Sequence, residues 1–530
     1  MFRHPIRWLA GLGAAGVFVA AAGAFVAVAA TPALAAAAPT VEPYFQNSTL
    51  AVGSAPVTRR LFLFADGPTV LTDVSLRYDY RSLANKITVA PADGQTCTAP
   101  EPGVLVCDDP YGIELSELPP LGSGIHRGVA DRVRIAATDD AQLGDSGDIA
   151  VSFEAAGGQR GSYTSQVRIG EGVDLAGGPF TDHSATPGAT VTLPLVVANA
   201  GATTVRGFVA VFDLRYSFRA TDRFSNCLYS GDHLLSCQFD EEIPAGEAVG
   251  TTLDFQLARD TYAPSNQSGY AQFMTKADFE DLGRVRDAVG ARAATRGGGA
   301  KLTLADAPSR MRQADQTDVG PGFDYTGWNV KVTGRNGTDL AAIGDTLKGG
   351  VGAVVTATVG FRNNGPATLD KVNADYEAAT HTDVELPPGT TAVRIPLGCH
   401  LRQGTRTYLC ASDMLLVAGK SYTMEFQVRI DRVIPNARGA VRVNAPCECP
   451  AGGSFGDDIK PANDRATILV NARAAGGGQG DGSGGGGGGG GTLPITGAPT
   501  GLLAGIGALL LVAGVASYLL ARRRPARFLA

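Results

Sequence analysis

The chain has 530 residues, more than one hydrophobic core accommodates, and domains of roughly 100–200 residues imply about three. It carries 45 basic and 51 acidic side chains; two arginines lie in the first 35 residues and four in the last ten, leaving 39 basic against 51 acidic between those ends. That net charge of −12 excludes nucleic acid as a partner, because phosphate backbones require concentrated positive charge.

At the N-terminus, Arg3 and Arg7 precede an apolar run from Trp8 to Ala30. Pro32 breaks the run, and Ala33-Leu34-Ala35 has the small-x-small form that signal peptidase cleaves, which makes 1–35 a signal peptide cut after Ala35. The competing reading is an uncleaved membrane anchor; either one exports the chain.

The exported region repeats itself. "VTRRLFLFADGPTVL" (57–71), "VTLPLVVANAGATTV" (191–205) and "VTATVGFRNNGPATL" (355–369) each start with Val-Thr and turn at Gly67, Gly201 or Gly365. Each becomes apolar again four residues after the glycine, at Leu71, Val205 or Leu369. Downstream come "CTAPEPGVLVC" (97–107), "CLYSGDHLLSC" (227–237) and "CHLRQGTRTYLC" (399–410), then the turns "LPPLG" (118–122), "IPAG" (243–246) and "LVAG" (416–419). Eight cysteines in an exported chain point to disulfides, and facing residues of a hairpin lie close enough to be bridged. The expected bridges are Cys97–Cys107, Cys227–Cys237, Cys399–Cys410 and Cys447–Cys449. For the last four cysteines the alternative ties both of Cys447 and Cys449 to the Cys399/Cys410 hairpin.

Short strands, glycine turns and stapled hairpins predict an all-β fold of tandem β-sandwiches, immunoglobulin-like by the resemblance given below, with a signal helix at one end and a membrane helix at the other. Boundaries are expected near 41–172, 173–307 and 315–473, with a polar linker over 308–325. "ADFEDLGRVRDAVGARAA" (277–294) reads as a short helix on the second unit, and "AKLTLADA" as that unit's last strand. The third unit's Asn-Gly-Pro turn, Cys pair, Ala-Gly turn and closing "DDIKPANDRATILVN" resemble a bacterial immunoglobulin-like repeat family of surface proteins. The second unit lacks the proline, and the first has Asp66 in place of the asparagine.

Little in the exported region suggests chemistry. There is no HExxH zinc motif and no P-loop, and His126, His183, His233, His381 and His400 lack partners nearby in sequence. No cofactor is expected. Asp457, Asp458, Asn463 and Asp464 form an oxygen-rich cluster of the kind calcium prefers, although turn-forming Asp and Asn explain it equally well.

Past a spacer of nearly pure glycine (476–491) stands Leu493-Pro494-Ile495-Thr496-Gly497. Gly501 to Leu520 follows, long and apolar enough to span a bilayer as a helix, and Arg522, Arg523, Arg524 and Arg527 keep the 521–530 tail in the cytoplasm. Pentapeptide, apolar helix and arginine cluster in this order resemble the LPXTG sorting signal of cell-wall surface proteins in Gram-positive bacteria of actinobacterial type. The resemblance implies that a sortase cleaves between Thr496 and Gly497 through a thioester at the Thr496 carbonyl, and that an amine on a peptidoglycan precursor takes the acyl group. The membrane holds the chain only until that cleavage. The expected function is a non-catalytic adhesin, spacer or structural component of the cell surface with an unidentified extracellular ligand. The alternatives are a surface-displayed enzyme acting on wall or extracellular polymers, and a membrane-retained receptor in which the pentapeptide is a coincidence.

Overall fold

The computed structural model describes residues 39–471 apart from 93–95, 110, 118–124, 284–293, 306–314, 321–323, 372–377, 448–454 and 456. These residues form three consecutive two-sheet β-sandwiches of immunoglobulin-like form, with very little helix.

In the first sandwich, Val41–Phe45, Val57–Ala65, His126–Ala137, Ile113–Glu117 and Thr69–Leu71 lie in that order in one sheet, and Ile87–Pro91 also pairs with His126–Ala137. The facing sheet runs Ser48–Leu50, Arg160–Ile169, Ser146–Glu154, Val74–Asp79, Val104–Asp109, Cys97–Thr98. Alternation fills the core: Leu61 and Leu63 point inward with Phe45, Tyr78, Ile149 and Phe153, all essentially without solvent exposure. Phe62 and Phe64 point to the opposite face, yet they are buried too, in a second cluster with Tyr44. This explains the unbroken apolar run "LFLF": both faces of the strand are covered. The cover comes partly from the second sandwich, where the Tyr44 hydroxyl donates to the Leu282 carbonyl (3.1 Å) and Gly283 leaves no room for a side chain beside that hydroxyl.

The second sandwich sets a four-stranded sheet (Leu175–Gly177, Thr190–Asn199, Ala248–Leu257, Phe218–Ala220) against a seven-stranded one (Thr181–Ala185, Tyr325–Asn336, Ala263–Thr275, Val205–Leu214, His233–Ile243, Cys227–Ser230, Thr295–Arg296). The expected boundaries fail here. Tyr325–Asn336, assigned by sequence to the third unit, pairs antiparallel with Ala263–Thr275 and parallel with Thr181–Ala185. Its inward residues Trp328, Val330 and Val332 are fully buried, and the Trp328 indole donates to the Pro194 carbonyl at 2.7 Å. The second unit therefore runs to Asn336. The expected linker is not free either: Gln316–Asp318 pairs parallel with Glu171–Val173, and Gln316 and Thr317 are buried. "AKLTLADA" contributes Leu302 and Leu304 to the core, but among its described residues it forms no strand and pairs with the sheet through a bridge between Gly250 and Ala305. The expected helix is present over Lys276–Asp281, where the Thr275 hydroxyl caps the Asp278 amide; 284–293 lie outside the described residues.

The third sandwich begins at once, with Thr338. Thr338–Ile343, Val354–Pro366, Ser421–Ile430 and Thr390–Arg394 form one sheet. Asp345–Leu347, Arg465–Val470, Ala437–Val443, His381–Glu385, Thr407–Ala411 and Cys399–Leu401 form the other. Val359, Phe426, Val428, Val441 and Ile468 fill the space between them.

Candidate functional site

The residues that carry the sequence-level function lie outside the described residues: Ala35, the 476–491 spacer, Leu493, Pro494, Ile495, Thr496, Gly497, and the 501–520 and 521–530 segments. Among the described residues no helix is long and apolar enough to cross a membrane.

The cysteine hairpins are closed as expected. Cys97 faces Cys107, Cys227 faces Cys237 and Cys399 faces Cys410 in the strand registers, and each pair is bonded, with Cα atoms 4.0–4.1 Å apart. The first and third staples each hold a short edge strand, Cys97–Thr98 or Cys399–Leu401, onto its sheet. A loop this short contributes about 3 kcal/mol by the chain-entropy argument. The Cys399–Cys410 bond removes the alternative that tied those two cysteines to Cys447 and Cys449; Cys449, and with it the last expected bridge, lies outside the described residues.

The repeated glycine turn and Ala-Gly turn meet through one buried asparagine. The Asn363 amide nitrogen donates to the Ala367 and Leu416 carbonyls (both 2.9 Å), and its Oδ1 accepts from the Gly365 amide (2.8 Å) and the Thr338 hydroxyl (2.6 Å). Its backbone carbonyl accepts from Gly419 of the Ala-Gly turn. Asn199 does the same work in the second unit: its amide donates to Thr203 and Ile243, its Oδ1 accepts from Gly201, and its carbonyl accepts from Gly246. The key residue therefore precedes the Asn-Gly dipeptide that the sequence draws attention to. Ala65 holds this position in the first unit, two residues before its turn glycine as Asn199 and Asn363 are before theirs.

Of the four oxygen-bearing residues singled out near 460, the structure brings three together and adds two. Asp458 accepts from the Leu340 (2.6 Å) and Lys460 (2.7 Å) amides. Asn444 donates to both Asp458 (3.3 Å) and Asp464 (3.1 Å), and Asn463 donates to Asp339 (2.8 Å). Asp457 turns away to accept from the Tyr262 hydroxyl of the second sandwich (3.2 Å). Burial, with the charges of Asp458 and Asp339, pushes the Asp464 carboxyl up to about 6 against the pull of the Asn444 amide. Among the described residues, the one group of three or more His, Cys, Asp or Glu ligand atoms lying within 4.8 Å of one another is Cys97, Cys107 and Asp131, whose sulfurs are already spent in a disulfide.

Sequence reading missed a cavity of about 270 Å³ between the first and second sandwiches. Gln46, Asn47, Val57 and Arg59 line it from one side; Asp278, Asp281, Thr317, Asp318 and Asp324 line it from the other. Each carboxylate is engaged. Asp278 accepts from the Thr275 and Thr317 hydroxyls (both 2.8 Å) and the Asp318 amide (2.9 Å). Asp281 accepts from Thr49 (2.8 Å) and forms an ion pair with Arg168 (2.6 Å). Asp318 accepts from the Leu175 and Gly320 amides, and Asp324 from the Gln272 amide. Burial raises Asp278 and Asp281, and burial with the charges of Asp324 and Asp278 carries Asp318 up to about 7. Burial also lowers the Arg59 guanidinium, while Asp278 and Asp281 support its charge. No sequence motif marks this group, because its members come from five separate stretches of chain.

Residues 452–456, Gly-Gly-Ser-Phe-Gly, spell the Gly-x-Ser-x-Gly pattern of hydrolase nucleophile turns. Ser454 lies outside the described residues, and Phe455 is buried against Tyr262, so nothing described here builds that turn.

No protein-family model matches the chain, and no curated protein matches it. Among solved structures, similar chains include the cohesin CaCohA2 of Clostridium acetobutylicum, at 12% identity over 24% of this chain and 90% of that one (TM-score 0.18). The I67–I69 I-band fragment of titin matches at 8% identity over 82% and 99% (TM-score 0.16), and the Dpr2 Ig1-Ig2 complex with DIP-Theta Ig1-Ig3 at 7% over 81% and 99% (TM-score 0.21). Likenesses this slight carry no argument; the tandem-sandwich fold rests on the strand pairing itself.

Proposed function

We propose that this protein is a non-catalytic surface component, exported by its N-terminal signal and joined to peptidoglycan by a sortase at Thr496, with the three sandwiches presented outside the cell as an adhesin or spacer. One observation carries the reading: Leu493-Pro494-Ile495-Thr496-Gly497 stands between a glycine spacer and an apolar segment closed by four arginines, behind an export signal. The stapled sandwiches support it, since disulfides suit an oxidising exterior. Sortase and the peptidoglycan precursor are then the processing partners, and the loops at the sandwich ends are where an extracellular ligand would bind. Mass spectrometry of digested cell walls should find a C-terminus at Thr496 linked to a peptidoglycan peptide, and Thr496→Ala should move the protein into the membrane fraction. An intact tail in membrane extracts with nothing in the wall sinks the proposal.

A second reading has one observation in its favour, the cavity with its four aspartates and the raised Asp318 carboxyl, which is the kind of environment general acids occupy. A hydrolase of wall polysaccharide would release reducing ends, and Asp318→Asn would abolish the release. No release by the unmodified protein removes this reading.

A further inference from the structure

We infer that the outer edge of the third sandwich, at Cys399–Leu401, receives an extended acidic segment of another protein, which adds to the sheet as an antiparallel strand. The inference does not depend on attachment at Thr496.

The three cysteine hairpins occupy the same side of equivalent sheets, yet their outer edges are finished differently. In the second sandwich a strand of the same chain closes the edge: Thr295–Arg296 pairs antiparallel with Leu228 and Tyr229, and the Gly297 amide donates to the Cys227 carbonyl (3.1 Å). In the first, the edge strand is only Cys97–Thr98, followed by Pro100 and Pro102, which have no N–H to offer a further strand. In the third, Cys399–Leu401 ends its sheet, and among the described residues nothing pairs with its outer side.

Facing cysteines with Cα atoms 4.0 Å apart form a non-hydrogen-bonded pair, so the backbone groups of Cys399, and of Leu401 two residues on, point away from Thr407–Ala411. The Cys399 amide turns back to the Pro396 carbonyl (3.3 Å). That leaves the Cys399 carbonyl and both backbone groups of Leu401 directed outward. Cys227 and Tyr229 hold the same positions in the second sandwich, and there the added strand meets them. What covers such an edge in this fold is therefore an extended antiparallel segment.

The side chains around the edge define its guest. Val393, Ile395, Leu397 and Leu401 are 41–97% exposed, on the stretch that passes from the edge of one sheet, Thr390–Arg394, to the edge of the other. Between Leu386 and Ser412 the sequence holds Arg394, His400, Arg402 and Arg406 and no Asp or Glu, in a chain whose acids outnumber its bases. Arg402 and Arg406 lie beside Asp383 (2.8 Å) and Glu385 (3.6 Å), whereas Arg394 is exposed and has no ion pair among the described residues. Apolar and cationic groups side by side suit a segment that alternates apolar with acidic residues: its backbone supplies hydrogen bonds and its side chains supply selectivity. A second copy pairing edge to edge would set His400 and Arg402 near their own counterparts, and like charges opposite one another are destabilising.

The test uses the full-length chain in detergent and a short fluorescent peptide of alternating glutamate and valine, read by polarisation. The peptide should bind with a dissociation constant below about 1 mM, and a lysine–valine peptide should bind about tenfold more weakly or worse. Methylating the peptide's backbone nitrogens should abolish binding. Bound peptide should slow hydrogen exchange at the Leu401 amide about tenfold and leave Tyr229 unchanged, because that edge is already occupied. Arg394→Glu, at an exposed side chain, should weaken binding about tenfold with circular dichroism unchanged, and Leu401→Pro, which removes an outward N–H, should do the same. No binding at about 1 mM peptide, equal binding of the two peptides, indifference to methylation, or unchanged exchange at Leu401 overturns the inference. So does self-association of the chain that Leu401→Pro abolishes, which would assign the edge to a second copy.

Discussion

Between the first and second sandwiches the contact is ionic and enclosed: Arg59 faces Asp278 and Asp281 beside a cavity, and Arg168 pairs with Asp281. Between the second and third it is close, and its carboxylates are held by neutral donors rather than by cations. The Thr368 amide donates to the Asp260 carbonyl at 2.6 Å, the Thr368 and Tyr216 hydroxyls both bond the Asp260 carboxylate, and Tyr262 packs edge-on against Phe455. A single residue, Gly337, separates the last strand of the second unit from the first strand of the third. The difference shows how a chain couples domains under different constraints. Where a segment returns from far along the chain, as 276–282 and 316–318 do, the first junction pins it with charged groups. Where the strands simply continue, a turn already required by the fold supplies the contact.

The largest expected effect tests the ionic junction. Asp281→Ala removes the buried partner of Arg168, which is itself partly exposed and keeps Asp315 at 3.4 Å, so the loss should reach only the lower end of the roughly 3–5 kcal/mol that breaking a buried pair costs. Hydrogen exchange at the Ser48–Leu50 amides, beside Thr49 and Arg168, should lose protection accordingly; a loss under about 1 kcal/mol would mean the charges do not hold the junction. Next comes the neutral side. Asn363→Ala strands the Leu416 carbonyl and the Gly365 amide, and about 2–3 kcal/mol should vanish from the third unit in urea unfolding. The first unit, with Ala65 at that position, should be indifferent to Ala65→Gly at this turn to within about 1 kcal/mol. The smallest effect separates the junctions by pH. Asp318 rises from the ordinary carboxylate value of 3.8 to about 7, so the docked state holds its proton more tightly than the undocked one. That contribution is complete at low pH and is lost as pH rises through 7. From pH 6 to 7 the first junction should weaken by about 1 kcal/mol at most, and Asp318→Asn should flatten the profile. A slope that persists in Asp318→Asn would assign it to another group.

Much of the architecture was legible. The three staples could be read because ten or eleven residues with a central glycine suffice to bring facing strands together, a wholly local matter. In the strand Tyr325–Asn336, Trp328, Val330 and Val332 alternate with polar neighbours, but nothing local tells which unit owns it: its antiparallel partner lies some sixty residues back. The same limit hid the junction cavity, whose carboxylates look like ordinary surface aspartates until the fold buries them. It also misdirected attention from Asn363 to the Asn-Gly-Pro beside it, because a turn signal is local while the carbonyls Asn363 satisfies lie both beside it and at Leu416.

By itself, the sequence determined what short-range chemistry can determine: an acidic chain, stapled β-hairpins, and a pentapeptide set between a glycine run and an apolar segment. Tertiary structure alone decided which strand closes which sandwich and which aspartates are desolvated enough to hold a proton more tightly. Those outcomes depend on desolvation and on partners distant in the chain, and neither is encoded in any window of neighbouring residues.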